Sequence, residues 1–226
     1  MTSPNASRLQ DALHYMREAN KYAERGIFKK PDWDLAAQNY EKAAQAFKAA
    51  QSYNEAVSAY VKSSDAMLHS FSHFMAGRAL ENAAAILELN LGPPEHVADL
   101  YRRAGNLYLQ DFKPDRAAEM LVKGAKALEN ASLEKAIKEY MNACNLYESE
   151  NLERYATDAF KSFIGMLVRN NRLGQAIEIL QRLGNIQSKT PNVYSYYKTL
   201  LSIVVVQLAI GDEVEAENRF RAFCNT

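Results

Sequence analysis

A tyrosine framed by small residues recurs along this chain, and that recurrence restricts the fold more than any other feature. In DLAAQNYEKAAQAF, Tyr40 follows Ala36 and Ala37 and precedes Ala43 and Phe47. The same frame returns at Tyr101, with Ala98, Ala104 and Tyr108, and at Tyr140, with Ala136, Ala143 and Tyr147. Weaker copies centre on Tyr60, Leu80, Leu121, Phe160, Leu180, Leu201 and Phe220. The anchors fall every ~20 residues, the length of one helix plus a tight turn.

Two such units make a hairpin of about 40 residues, somewhat longer than the tetratricopeptide (TPR) unit of ~34. Small residues on either side of the anchor let neighbouring helices approach, and the large residues fill the space between them. Gly77, Gly105, Gly124 and Gly165 stand inside the helical pattern, where each costs ~1 kcal/mol relative to Ala; close helix contact is the expected return. Pro94, Pro114 and Pro191 suit first-turn positions, Thr190 and Ser132 suit N-caps, and Asp212 with Glu215 suits a capping box. No segment shows the two-residue alternation of a strand. The predicted fold is all-α: a right-handed-twisted α-solenoid of TPR-like antiparallel helical hairpins, about eleven helices in a single domain over residues 1–226.

Charge narrows the function. Lys plus Arg total 27 and Asp plus Glu total 27 in 226 residues, so no basic excess exists for wholesale nucleic-acid binding. The two cysteines, Cys144 and Cys224, belong to no metal or redox motif and are expected as reduced thiols on helical faces. The N-terminus lacks a signal-peptide core. The most apolar run, Leu200 to Ile210, is interrupted by Gln207 and is shorter than the roughly 20 residues of a membrane span. A soluble, intracellular protein is expected, with the sequons at Asn5 and Asn130 unused.

The search for chemistry finds little. There is no glycine-rich phosphate loop, G-x-S-x-G, H-E-x-x-H or C-x-x-C. His69 and His73 are spaced for one helical face, but no third metal ligand follows; two ordinary polar helix residues are expected, and no metal or cofactor. Carboxylates mix with lysines, as in LEKAIKEY, the pattern of a solvated face. The tyrosines sit at the packing position of the repeat, so core is expected rather than base stacking. No catalytic residue is assigned, and an enzyme is not expected.

From KPDWDLAAQNYEKAAQAFKAAQSYNEAVSAY onward the chain resembles the soluble NSF attachment proteins (SNAPs), adaptors of the N-ethylmaleimide-sensitive fusion factor (NSF). The gamma type is the nearer match, through Phe28, Lys30, Pro31, Asp32, Trp33 and Asp34, and LENASLEKAIKEYMNACNLYESE is a further landmark. The resemblance implies an adaptor that lays a helical sheet against the four-helix bundle of assembled SNARE proteins (syntaxin-type) and recruits the NSF hexamer for disassembly after membrane fusion. Several copies per SNARE complex are implied as possible. So is a peripheral place on the cytosolic face of membranes.

In that family the turn between the first two helices touches the bilayer. Here Ile27 and Phe28 would take that part, with Arg25, Lys29 and Lys30 facing anionic head groups. Each basic residue near such a surface contributes about 1 kcal/mol. The bland alternative folds Phe28 back onto the second helix. For the SNARE-facing surface, Lys113 and Lys198 match basic positions of the alpha type, whereas Glu119 and Asp158 reverse the sign at two others. Lys123, Lys126 and Lys161 lie near enough in sequence to compensate. Family members continue into further helices and an ATPase-engaging tail, so the family's C-terminal bundle is expected to be absent or truncated, leaving Phe220 and Phe223 partly exposed or covered by a partner copy. The alternative reading is a TPR-type scaffold that holds an extended peptide, with no membrane or ATPase role. Asn39, Asn106 and Asn145 do not form the single stripe with lysines that such a groove favours.

Overall fold

The structure, a computed structural model, describes residues 4–25, 30–189 and 191–224. The order of elements is α1 (Pro4–Ala23), α2 (Trp33–Ala49), α3 (Tyr53–His69), α4 (His73–Leu89), α5 (Pro94–Gln110), α6 (Pro114–Leu128), α7 (Leu133–Ser149), α8 (Glu153–Arg169), α9 (Leu173–Gln187), α10 (Val193–Ile210) and α11 (Glu213–Cys224). No strand occurs among the described residues. The chain divides into two compact units, residues 1–139 and 140–226. In each unit successive helices pack on one another: α1 to α6 in the first, α8 to α11 in the second. Turns this short make sequence neighbours antiparallel. The architecture is therefore the expected all-α row of TPR-like hairpins.

One stop signal ends most of the helices. After α3, the Phe71 amide donates to Leu68 O and the Ser72 amide to Met67 O, satisfying carbonyls that the helix end would otherwise leave bare. That closure needs a left-handed residue, and φ is 58° at Phe71. The same geometry recurs at Gln51, Leu91, Phe112, Asn151 and Asn171, and Gly211 ends α10 with φ 91°. The N-termini are more varied. Pro94 and Pro114 open α5 and α6, and Asp32 caps α2 by accepting from the Leu35 amide at 3.0 Å. Asp212 accepts from the Glu215 amide at 3.1 Å, as the capping pattern predicts. Pro191 departs from its predicted first-turn position: α10 starts at Val193, capped by Asn192 through the Ser195 amide. Thr190 lies outside the described residues.

The frame packs as expected over most of its length. Tyr40, Tyr60, Leu80, Tyr101, Tyr140, Phe160 and Leu180 are buried together with the alanines beside them. Tyrosine serves because its ring fills the gap while its hydroxyl reaches the rim: Tyr40 donates to Asn20 at 2.7 Å and Tyr101 to Glu88 at 2.7 Å. Gly77 repays its helical cost as proposed, since a Cβ there would meet Ala104 O and the Tyr108 ring, each at 3.2 Å. Gly165 does not, because the atom a Cβ would crowd is the flexible Arg169 side chain of its own helix.

The Leu121 copy in α6 is only half-buried, and the frame fails at the end of the chain. Leu201 in α10 is 45% exposed and Phe220 in α11 is 46% exposed; the Phe223 side chain lies outside the described residues. The apolar helix α10 has 18 residues, because it begins before Leu200, and it is long and apolar enough to cross a membrane by length and composition. The shortness expected from residues 200–210 therefore does not hold. In this structure it packs as a repeat helix, placing Ile203 against Ile177 and Leu180 and bonding Thr199 to Gln187 at 2.7 Å.

Candidate functional site

Helix α6 carries the first group of candidate cations. Residues 116, 119, 123 and 126 follow i, i+3, i+7, i+10 spacing, so they lie on one face of the helix. Glu81 of α4 projects into this stripe. Its carboxylate accepts from the Tyr108 hydroxyl at 2.8 Å, from Arg116 at 2.9 Å and from Lys123 at 2.9 Å. Lys123 and Arg116 each also pair with Glu119 at 2.9 Å. Arg116 and Lys123 further lie over the rings of Tyr108 and Tyr101, respectively. Burial works to raise the Glu81 carboxyl, but hydrogen bonds from Lys123 and Tyr108 and the nearby cations outweigh it, so Glu81 sits below the usual carboxylate value. Burial and the bond to Glu81 push the Tyr108 hydroxyl up to about 12.

The Glu119 carboxylate is paired within its own helix by Arg116 and Lys123. Lys123 is thereby committed to carboxylates of this chain and differs from the other candidates. Lys113, at the N-cap of α6, and Lys126 are exposed and make no ion pair among the described residues.

Unit 2 holds the remaining candidates. Lys161 on α8 and Lys198 on α10 are exposed, as is Asp158 one helical turn before Lys161. In the same unit Arg182 of α9 forks onto Glu148 at 2.7 Å and Asn145 at 2.7 Å, with its guanidinium over the Phe160 ring. Cys144 is buried near Arg182, and burial pushes its thiol up to about 12; Cys224 is exposed. The structure brings Lys113, Lys123 and Lys126 together on one helix, and places Lys161 and Lys198 on two helices of the other unit.

Of the loop candidates, Arg25 and Lys30 are exposed, while Ile27, Phe28 and Lys29 lie outside the described residues. Among the described residues that flank them, the Asp32 amide donates to Tyr22 O at 2.9 Å. Trp33, the next residue, stacks on His69 with ring centroids 4.0 Å apart and planes 18° apart. His69 and His73 do not share a helical face as their spacing suggested: the turn after α3 separates them, since His69 ends one helix and His73 begins the next. Among the described residues no group of three His, Cys, Asp or Glu is placed to hold a metal.

Sequence reasoning missed two residues here. Phe71 is 84% exposed and Phe112 is 89% exposed, both at turn tips. Their signal was legible: an aromatic stands between two repeats, where the stop geometry favours Asn or Gly.

The fold defines the chain as a TPR-like helical-repeat protein. Among solved structures, the crystal structure of BtubC (BKLC) from P. vanneervenii has the same fold, with a TM-score of 0.52 and 13% identity over 99% of this chain and 91% of that one. The family model for "Soluble NSF attachment protein, SNAP" matches residues 10–226. The gamma-soluble NSF attachment protein of Dictyostelium discoideum is 30% identical over 210 residues, 92% of this chain and 64% of that protein. Its counterpart from Arabidopsis thaliana is 31% identical over 186 residues, 82% of this chain and 64% of that protein. The chain belongs to the soluble NSF attachment protein family, and it spans a little under two thirds of the length of these two curated relatives.

Proposed function

We propose that this chain is a SNAP adaptor: it binds the four-helix bundle of assembled SNARE proteins and attaches the NSF hexamer to it for disassembly. The observation that carries this reading is the family match over residues 10–226, on an all-helical repeat fold. Lys113 and Lys126 on one unit, and Lys161 and Lys198 on the other, are the cations available to an acidic bundle. Lys123 contributes indirectly, by pairing with the Glu119 carboxylate. Specificity among bundles then follows from the placement of charge.

Peripheral contact with anionic membranes goes with this role. Ile27 and Phe28 insert at the loop after α1, and Arg25, Lys29 and Lys30 meet the head groups. Such weak binding acts mainly by raising effective concentration at the SNARE complex. The protein works in the cytoplasm on membrane surfaces, with several copies able to surround one bundle.

The test is capture of purified NSF, with a non-hydrolysable nucleotide, on the immobilised chain with and without assembled SNARE complex. Capture that depends on the SNARE complex is expected. Retention of neither SNAREs nor NSF would overturn the reading and return the protein to the class of peptide-holding scaffolds.

A further inference from the structure

Antiparallel packing sorts the turns of unit 1 onto two edges. The loop after α1 and the turns after α3 and α5 share one edge; the turns after α2 and α4 share the other. The first edge therefore collects Arg25, Lys30, Trp33, Phe71 and Phe112. Both phenylalanines point away from their own core, being 84% and 89% exposed.

Neither aromatic is there for the fold. The stop geometry asks for a left-handed residue, and φ is 58° at Phe71 and 56° at Phe112. Asn or Gly meets that requirement at lower cost, and Asn151 and Asn171 do so in unit 2. A bulky residue in this region of the map is uncommon.

We propose that this edge of unit 1 inserts into the interfacial layer of a lipid bilayer, with Phe71 and Phe112 as the inserting groups. The proposal rests on the reading that the loop after α1 meets a membrane, and it extends the contact along two further hairpins.

Three features favour lipid over a protein partner. The tips are separate protrusions at successive hairpins, whereas a protein partner wants a contiguous, closely packed patch; lipid accommodates isolated side chains. The α3–α4 turn is uncharged: no Asp, Glu, Lys or Arg occurs between Asp65 and Arg78, and the tip reads His-Ser-Phe-Ser-His. Ser and His supply hydrogen bonds for head groups without the cost of sinking an ion. At the other tip Lys113 follows Phe112 and is exposed, and its long stem lets the ammonium stay at the head-group level. Trp33 stands at the base of the same edge, a side chain suited to that layer.

The mode differs from that of the basic loop. Burial of the aromatic side chains themselves depends little on salt or on anionic lipid, and the Phe112 tip carries Asp111 and Lys113 of opposite sign on either side, whereas attraction through Arg25 and Lys30 is screened within about 10 Å at 0.1 M salt. The opposite edge supplies an internal control, since Leu91 at the α4–α5 turn is 94% exposed and has the same left-handed backbone.

The experiment is sedimentation of the full 226-residue chain with vesicles of phosphatidylcholine alone and of phosphatidylcholine with phosphatidylserine. Phe71→Ser with Phe112→Ser should weaken binding to both vesicle types, by about tenfold for each aromatic that is half inserted. Leu91→Ser should change neither. Ile27→Ser with Phe28→Ser tests the loop separately. If the loop variant loses binding while the Phe71/Phe112 variant matches the parent, the loop reading stands and the edge proposal falls. If the Phe71/Phe112 variant alone loses binding, the edge proposal stands without the loop. Absence of vesicle binding by the parent chain overturns both. A second readout does not depend on removing the aromatics: Phe71→Trp should be quenched by brominated lipid and Leu91→Trp should not. Equal quenching of the two overturns the proposal.

Discussion

Unit 1 and unit 2 stop their helices with the same backbone, but among the described residues only unit 1 covers that backbone with large apolar side chains. At the left-handed position unit 1 places Gln51, Phe71, Leu91 and Phe112, and unit 2 places Asn151, Asn171 and Gly211. A second contrast runs through the helices. In α2 to α5 and in α7 to α9 the repeat anchor is buried, while in α10 and α11 it is half exposed. Together these contrasts separate what the fold requires from what it tolerates. The turn needs a conformation, not a side chain; the interior of a hairpin needs the side chain.

The largest break in the second contrast comes from truncating the anchor at two places. Phe160 is fully buried and lies beneath the Arg182 guanidinium. Phe160→Ala should cost about 3–5 kcal/mol, combining lost transfer energy with a cavity that the packed hairpin fills only in part. Leu201→Ala, at the same position of α10, should cost under about 1 kcal/mol because the side chain is 45% exposed. Urea unfolding of both variants measures the difference. Equal costs would mean that α10 is covered in solution by something this structure does not contain.

Much of this was legible in the sequence, and the reason is the period. Tyr40, Tyr101 and Tyr140 align because each fills the same gap in the same hairpin, and a gap repeated in space must be repeated in sequence. Helix order, hairpin length and core followed from that alone. The failures have physical causes of their own. His69 and His73 sit four apart in number, but helix spacing holds only inside a helix, and a left-handed residue falls between them. Lys123 looked available because a sequence shows charge and not partners; Glu81, which binds it, is 42 residues away. Gly165 matched the pattern of the other helical glycines although nothing rigid lies against it.

The Glu81 cluster sharpens the contrast between the units on a smaller scale. It joins three helices of unit 1, whereas the ion pair of Arg182 with Glu148 in unit 2 joins two. Glu81→Gln keeps the shape and removes the charge, leaving Arg116 and Lys123 to Glu119 alone. Both cations are about one third exposed, which screens the loss to about 1–2 kcal/mol. The sign with pH follows from the depressed carboxyl. A group held below its unfolded value contributes above that value, and the contribution disappears as pH falls through the folded value. Parent and variant should therefore differ in melting temperature at neutral pH and converge below the ordinary carboxylate range of about 4. A difference that persists unchanged at low pH would show that the carboxylate is not what holds the three helices.

The smallest effect is the most telling for the turns. Giving unit 1 the residues of unit 2, through Phe71→Asn and Phe112→Asn, should raise stability by a few tenths to about 1 kcal/mol per site. Asparagine occupies the left-handed region more readily than phenylalanine, and an aromatic that is over 80% exposed has little packing to lose. A substitution that stabilises the chain while weakening its hold on vesicles would identify the aromatic as retained for a partner at the expense of the fold. Lost stability would instead show that the phenylalanines contribute to the turn itself. Differential scanning calorimetry of the double variant beside the parent decides between these outcomes, because a gain of that size at both sites moves the midpoint of a chain this long by about 1–8 °C.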